Sequence, residues 1–364
     1  MSKGKLAAER ELLSPPGDTI LDTIDHYKIS QAELAERLGK KPSKVHDLIK
    51  GKEPITLNTA MQLEKVLGVP ASFWMNRELQ YREKLARIED EDQAEANVAW
   101  VKGMPLKELA ACNQITATKP NGESVNQVLG FFGVASVDAW YKVYEQPLEE
   151  LADFRKAEAH TTIPSLTAWL RLGELEMRKL SLPEFDKQGF RQALDTTIKG
   201  LVAGHPADFD RQLQNICQEF GLGLVFTPCF PKVPVCGATR WIGGNPLIQL
   251  TDRYKTADQF WFTFYHEAGH VCLHGKKEVF IEAERKSGST NEKEEQANQF
   301  ASRLLLPDSA LDELPEGFTE NDVKLLAKTY GTHPGIIIGR LQFLKWVDYR
   351  FGSFLKKKVD LFQK

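Results

Sequence analysis

Cysteine is scarce in this chain, with five residues (Cys112, Cys217, Cys229, Cys236 and Cys272) in 364 and no C-x-x-C pair among them. An odd count without that spacing argues against a disulfide framework and against a cysteine zinc cluster. No stretch approaches the roughly 20 uninterrupted apolar residues of a membrane span, so no membrane partner is expected. The opening "MSKGKLAAERELLSPPGD" mixes charges of both signs and lacks the apolar core and small-residue cleavage site of a secretory signal. A cytoplasmic protein is therefore predicted. A strong overall charge is missing too, since the formal net charge is only -3. Any affinity for phosphates must come from a local basic patch.

Hydrophobic residues make up 42% of the sequence, and its length exceeds what one core usually supports. Two or three domains are expected. The first candidate patch runs from Ser30 to Lys52, with six Lys or Arg against three acids, or +3. Within it, Ser30 and Glu33 form a capping-box pattern, Leu34, Ala35 and Leu38 supply packing positions, and Gly39 stops a short helix. After that turn, Val45, Leu48 and Ile49 make the apolar face of a second helix ending near Gly51, leaving Ser43, Lys44, His46 and Asp47 on other faces. "TLNTAMQLEKVLGV" repeats the pattern, with Thr56 or Asn58 opening a third helix and Gly68 closing it. Three short helices with a tight glycine turn suit a helix-turn-helix.

The run from "SPPGDTILDTI" through "SQAELAERLG" and "GKEPITLNTAMQLEKVLG" resembles antitoxin-type helix-turn-helix regulators of the HigA group in the Cro/C1 class, over about one fifth of the chain. The resemblance implies a double-stranded DNA operator as partner, with Gln31, Ser43, Lys44, His46 and Asp47 as contact positions. Lys41, Lys50 and Lys52 could hold phosphates. Paired half-sites make a homodimer the natural form for such a domain. The same three-helix unit also serves elsewhere as a protein-interaction module.

From Arg77 to about His205 the sequence is charged and helical in period. In "TAWLRLGELEMRKL", Trp169, Leu170, Leu172, Leu175 and Met177 recur at near-helical spacing, as in an amphipathic bundle. "EDEDQAEA" reads as a solvated charge run and a flexible junction. No chemistry is assigned here, and bridging, dimerising and sensing all stay open.

The last third opens with "GLGLVFTP" and "CGATRWIGGNPLIQLT", strand-like runs expected to form a small sheet against a helix. "FYHEAGHVCLHG" follows. Residues four apart share a helical face, so His266 and His270 can present two imidazoles to one metal, with Glu267 beside them as a base. A third protein ligand is required. "STNEKEEQANQFASRLLLP" offers it from a second helix, capped by Ser289 and Glu292, whose buried face includes Ala297, Phe300 and Ala301. Glu294, three residues before Ala297, is the chosen third ligand, with Glu295 as the fallback. His274 lies eight residues beyond His266, about 12 Å along a helix, and suits a cap or a supporting contact better than a shared ion. His333, in a Gly-Thr-His-Pro turn, is either structural or a transition-state stabiliser.

"HEAGH", the downstream "E-x-x-A-N-x-F-A" at Glu294 to Ala301, and "LLLP" resemble the ImmA/IrrE family of metallo-endopeptidases, roughly from Leu201 to Leu344. The resemblance implies Zn2+ and hydrolysis of a peptide bond in a protein substrate, possibilities for which include a helix-turn-helix repressor or the chain itself. Glu267 would take the proton from water and pass it to the leaving amine. A substrate strand could add to a sheet edge near "NPLIQLT". The rival reading is a transcriptional repressor or antitoxin, with a toxin partner, whose metal domain is sensory or non-catalytic.

The expected architecture is multidomain: an all-α helix-turn-helix domain (15–80), a helical connector (81–205), an α+β zincin-like metallopeptidase domain (206–345) and a tail (346–364).

Overall fold

The computed structural model describes residues 8–150, 162–233, 235–251, 253, 255–275, 280–283 and 292–362. They divide into two compact units, Met1–Val137 and Asp138–Lys364. Among the described residues, no helix is long and apolar enough to cross a membrane.

The first unit begins with α1 (Pro16–His26), α2 (Gln31–Leu38), α3 (Pro42–Ile49) and α4 (Leu57–Leu67). Ser30 Oγ accepts the Glu33 amide at 3.1 Å, which satisfies one of the orphan donors at the start of α2. The expected reciprocal half of that box does not form, because the Glu33 carboxylate pairs with Arg37 one turn on, at 2.6 Å. Gly39 ends the helix at φ +65°. Of the two expected openings for α4, it is Thr56 whose hydroxyl takes the Thr59 amide. Ile20, Leu34, Ala60, Leu63 and Trp74 all sit at 0% exposure in the common core. Each large side chain there is worth about 1.5–3 kcal/mol of burial.

A 26-residue helix, α5 (Ala71–Ala96), follows. Its last two turns are "EDEDQAEA", so the expected flexible junction is a correction: the stretch is helical. Two of its acids have partners on α6 (Gly122–Phe132), Asp90 accepting from Asn126 Nδ2 at 3.1 Å and Glu95 from the Gly122 amide at 3.3 Å. Acceptors beside a helix N-terminus are favoured by its free amides.

In the second unit, α7 (Ile163–Met177) carries the Trp169 stripe. It is not amphipathic, since every residue from Ser165 to Gly173 is buried, Arg171 included. The helix lies against the sheet, where the buried Gln249 Nε2 donates to the Trp169 carbonyl at 2.7 Å and Arg240 Nη2 donates to that of Leu170 at 2.7 Å. The helical stretch 81–205 is therefore shared between the two units.

Among the described residues, the sheet has four strands in the order β1-β3-β2-β4. Strand β1 (Gly223–Phe226) runs parallel to β3 (Asn245–Leu250), and β2 (Val235–Ile242) is antiparallel to both β3 and β4 (Phe280–Ala283). Gly243 and Gly244, both at positive φ, close the β2-β3 hairpin as a two-residue turn demands. "NPLIQLT" contains β3, an interior strand with neighbours on both sides, so the expectation of a substrate-accepting edge there is overturned.

Against the sheet lies α8 (Ala257–Leu273), and beside it α9 (Glu292–Leu305). The two helices approach closely because a Cβ on Gly269 would stand 3.2 Å from Ala297 Cα and 3.2 Å from the Phe300 ring. Ser289, expected to cap α9, lies outside the described residues. Helices α10 (Glu320–Thr329) and α11 (Pro334–Phe343) build a smaller core. Within the expected tail, Lys357 O accepts the Ala257 amide at 2.8 Å and Val359 is 2% exposed in the main core. That segment supplies an acceptor at the start of α8 and an apolar side chain beneath it.

Candidate functional site

Helix α8 places His266, Glu267 and His270 at 0%, 0% and 2% exposure. The close approach at Gly269 brings in Glu294 from the first turn of α9, with carboxylate oxygens 3.2 Å from His266 Nε2 and 3.4 Å from His270 Nε2. The two Nε2 atoms are themselves 3.0 Å apart. One ligand atom from each of the three residues lies within 4.8 Å of the others. Glu295 points elsewhere and accepts from Gln299, and Gln296 donates to Glu292.

The protonation of this trio decides what it can hold. Burial lowers the His270 imidazole to about 4 against the opposing pull of Glu294, so it is neutral at physiological pH. Burial pushes the Glu294 carboxyl up, but hydrogen bonds from both histidines outweigh it and hold the acid below its usual range. Asn298 Oδ1 sits 2.9 Å from His266 Nδ1, and an amide oxygen only accepts, so Nδ1 carries a hydrogen and Nε2 is the nitrogen that would face an ion. Two imidazole nitrogens and an ionised carboxylate thus converge on one point, a donor set that suits a divalent cation. The residues fit a metal.

Around them stand residues whose part was not visible in the sequence. Phe280 of β4 stacks on the His270 ring with centroids 4.0 Å apart. From β2, the buried Thr239 hydroxyl donates to Glu267 Oε2 at 2.6 Å. Asn298 belongs to the quoted "E-x-x-A-N-x-F-A" run, and its place four residues after Glu294 on one helix was the available signal. Thr239 had none beyond lying in a strand.

His274 follows the last turn of α8 and bonds the Lys293 carbonyl at 3.1 Å, just before Glu294. His333 is the N-cap of α11, its Nδ1 accepting the Gly335 amide at 3.1 Å, with its ring 6.1 Å from that of His205. The ligand trio does not include it.

In the first unit, Ser43, Lys44 and His46 are exposed on α3, and Asp47 is half-buried. Gln31 is exposed at the start of α2, Lys41 precedes α3, and Lys50 and Lys52 are exposed beyond it. Lys44 is engaged by Glu53 in an ion pair that the sequence did not suggest. Both partners are exposed, so water and salt compete for the pair.

A helix-turn-helix family model matches residues 24–74, and a peptidase-class model described as the IrrE N-terminal-like domain matches residues 217–342. The chain carries both domains. The helix-turn-helix domain is of a DNA-binding class, and the IrrE N-terminal-like domain is peptidase-like and contains the whole trio. An uncharacterized HTH-type transcriptional regulator, YddM of Escherichia coli (strain K12), is 34% identical over 61 residues, 17% of this chain. The match spans 65% of that relative, short of two thirds of its length.

Proposed function

We propose that this chain is a DNA-binding regulatory zinc endopeptidase that hydrolyses a peptide bond in a protein partner, a helix-turn-helix repressor or itself. The observation that carries the reading is the convergence of two imidazoles and an ionised carboxylate beside Glu267, on two helices of an IrrE N-terminal-like domain. His266, His270 and Glu294 would hold the ion. Bound zinc supplies a Lewis acid that polarises a carbonyl and acidifies water. Glu267 takes the water proton and delivers it to the departing amine. Asn298 keeps the His266 lone pair aimed at the ion. In the first unit, Ser43, Lys44, His46 and Asp47 of α3, with Gln31 of α2, read a double-stranded operator. Lys41, Lys50 and Lys52 hold its phosphates, and a homodimer matches paired half-sites.

A second reading draws support from the complete burial of His266 and Glu267. A base with no exposed surface suits a repressor or antitoxin of a toxin-antitoxin-like module whose metal site is structural or sensory.

Elemental analysis of purified wild type, His266→Ala and Glu294→Ala tests the site. About one zinc per chain, lost in both variants, is expected. Incubating the zinc-loaded chain with repressors encoded beside it then separates the two readings. The peptidase predicts cleavage that Glu267→Gln abolishes, and full zinc-dependent cleavage by that variant would refute the assigned base.

A further inference from the structure

Strand β2 faces α8 with two residues that both meet the carboxylate of Glu267. Gly237 and Thr239 are two apart and so lie on the same side of the strand. A Cβ at Gly237 would stand 2.6 Å from Glu267 Oε1 and 2.9 Å from its Cγ, so only the absence of a side chain makes room for the carboxylate. Thr239, 1% exposed, donates its hydroxyl to Oε2 at 2.6 Å and also lies 3.2 Å from the Glu267 backbone carbonyl. The intervening Ala238 points away, and on that opposite face Arg240 donates to Leu170 O of α7 and to Gln249 Oε1 of β3.

We infer that Gly237 and Thr239 are positioning residues which cradle the Glu267 carboxylate from the sheet, Gly237 by leaving the space and Thr239 by gripping one oxygen. The inference rests on the peptidase reading. A glutamate has three side-chain torsions, and ordering it costs rotamer freedom. A fixed partner on a strand meets that cost before substrate arrives, as a preorganised base requires. The hydroxyl neither touches substrate nor ligates the ion. Its effect passes through Glu267.

Acetohydroxamate is a suitable probe, because it chelates zinc through two oxygens and shares its acidic proton with a carboxylate standing beside the ion. Its affinity for the zinc-loaded full chain, measured by calorimetry, therefore reports where that carboxylate stands. Thr239→Val should weaken binding roughly tenfold, the scale of a lost hydrogen bond to a charged group, with zinc content unchanged. Thr239→Ser, which keeps the hydroxyl, should restore most of it. Gly237→Ala tests the same cradle independently, since its added methyl must displace the carboxylate, and it too should lose affinity at constant zinc. Wild-type affinity in both Thr239→Val and Gly237→Ala, or an equal loss in Thr239→Ser and Thr239→Val, would overturn the inference while leaving the zinc site standing. Wild type that takes up no zinc would instead remove the peptidase reading, and the cradle with it.

Discussion

Replacing Asn298 by alanine should weaken zinc binding without touching a ligand. Asn298 Oδ1 is the acceptor 2.9 Å from His266 Nδ1, and it fixes the tautomer that leaves Nε2 free to coordinate. Without it, the imidazole can place its hydrogen on either nitrogen and rotate, so part of the population presents a hydrogen to the ion. Loss of such a supporting partner typically costs 10–100-fold in metal affinity, or about 1.4–2.7 kcal/mol. Asn298→Asp keeps an acceptor at the same place and should retain affinity, which separates the hydrogen bond from a packing effect on α9. Competition against a chromophoric chelator measures all three proteins at one pH. Equal zinc affinity in wild type and Asn298→Ala would refute the argument that this bond sets the donor state of His266.

Three further outcomes follow from the geometry. Burial, with the cationic Lys357 and then His333 beside it, lowers the His205 imidazole to about 4, and its Nδ1 accepts the Trp261 indole hydrogen at 3.1 Å. The unfolded chain takes up this proton near 6.5 and the folded one near 4, so the stabilisation is whole above that upper value and drains away as pH falls between them. Urea unfolding between those values should show a loss approaching about 1.4 kcal/mol per pH unit at its steepest, diminished in His205→Phe, and a flat profile would count against it. Gly269→Val should cost about 1–3 kcal/mol in thermal unfolding by overpacking against Ala297 and Phe300, and should also lower zinc affinity by moving Glu294; unchanged melting would mean that the helices separate freely. For the first unit, Lys50→Ala should weaken DNA binding across all sequences and reduce the log-log salt slope by about 1, whereas Ser43→Ala should act chiefly on the preferred operator; identical behaviour of the two would undo the division between phosphate and base contacts.

Local periodicity carried the part of the site that lies on single helices. The spacing of His266 and His270 and the face shared by Glu294 and Ala297 are properties of one helix each, and both were legible in the sequence. The roles of Thr239 and Asn298 arise only when strand, first helix and second helix are brought together. No pattern along the chain encodes a hydrogen bond between residues 28 apart. The same reason explains the misread elements. Parallel pairing of β1 with β3 makes β3 an interior strand, although hairpin grammar shows only its link to β2. Helix α7 looked amphipathic because Arg171 and Glu174 punctuate it, yet those two charges pair with each other at 2.7 Å, and the helix backbone receives two donors from the sheet. In "EDEDQAEA", acids that resemble a solvated run serve as acceptors for a neighbouring helix.

The ligands come from two helices, with 23 residues of chain between His270 and Glu294. An ion held by all three would close that interval into a loop, much as a covalent staple would. Unlike such a staple, it would act on the folded chain alone, because only folding brings the three ligands together. At a free concentration one hundredfold above its dissociation constant, the ion would add about 2.7 kcal/mol to stability. Cellular metal supply would then set the lifetime of the domain as well as its chemistry, and a cell starved of the ion would lose the regulator itself to proteolysis.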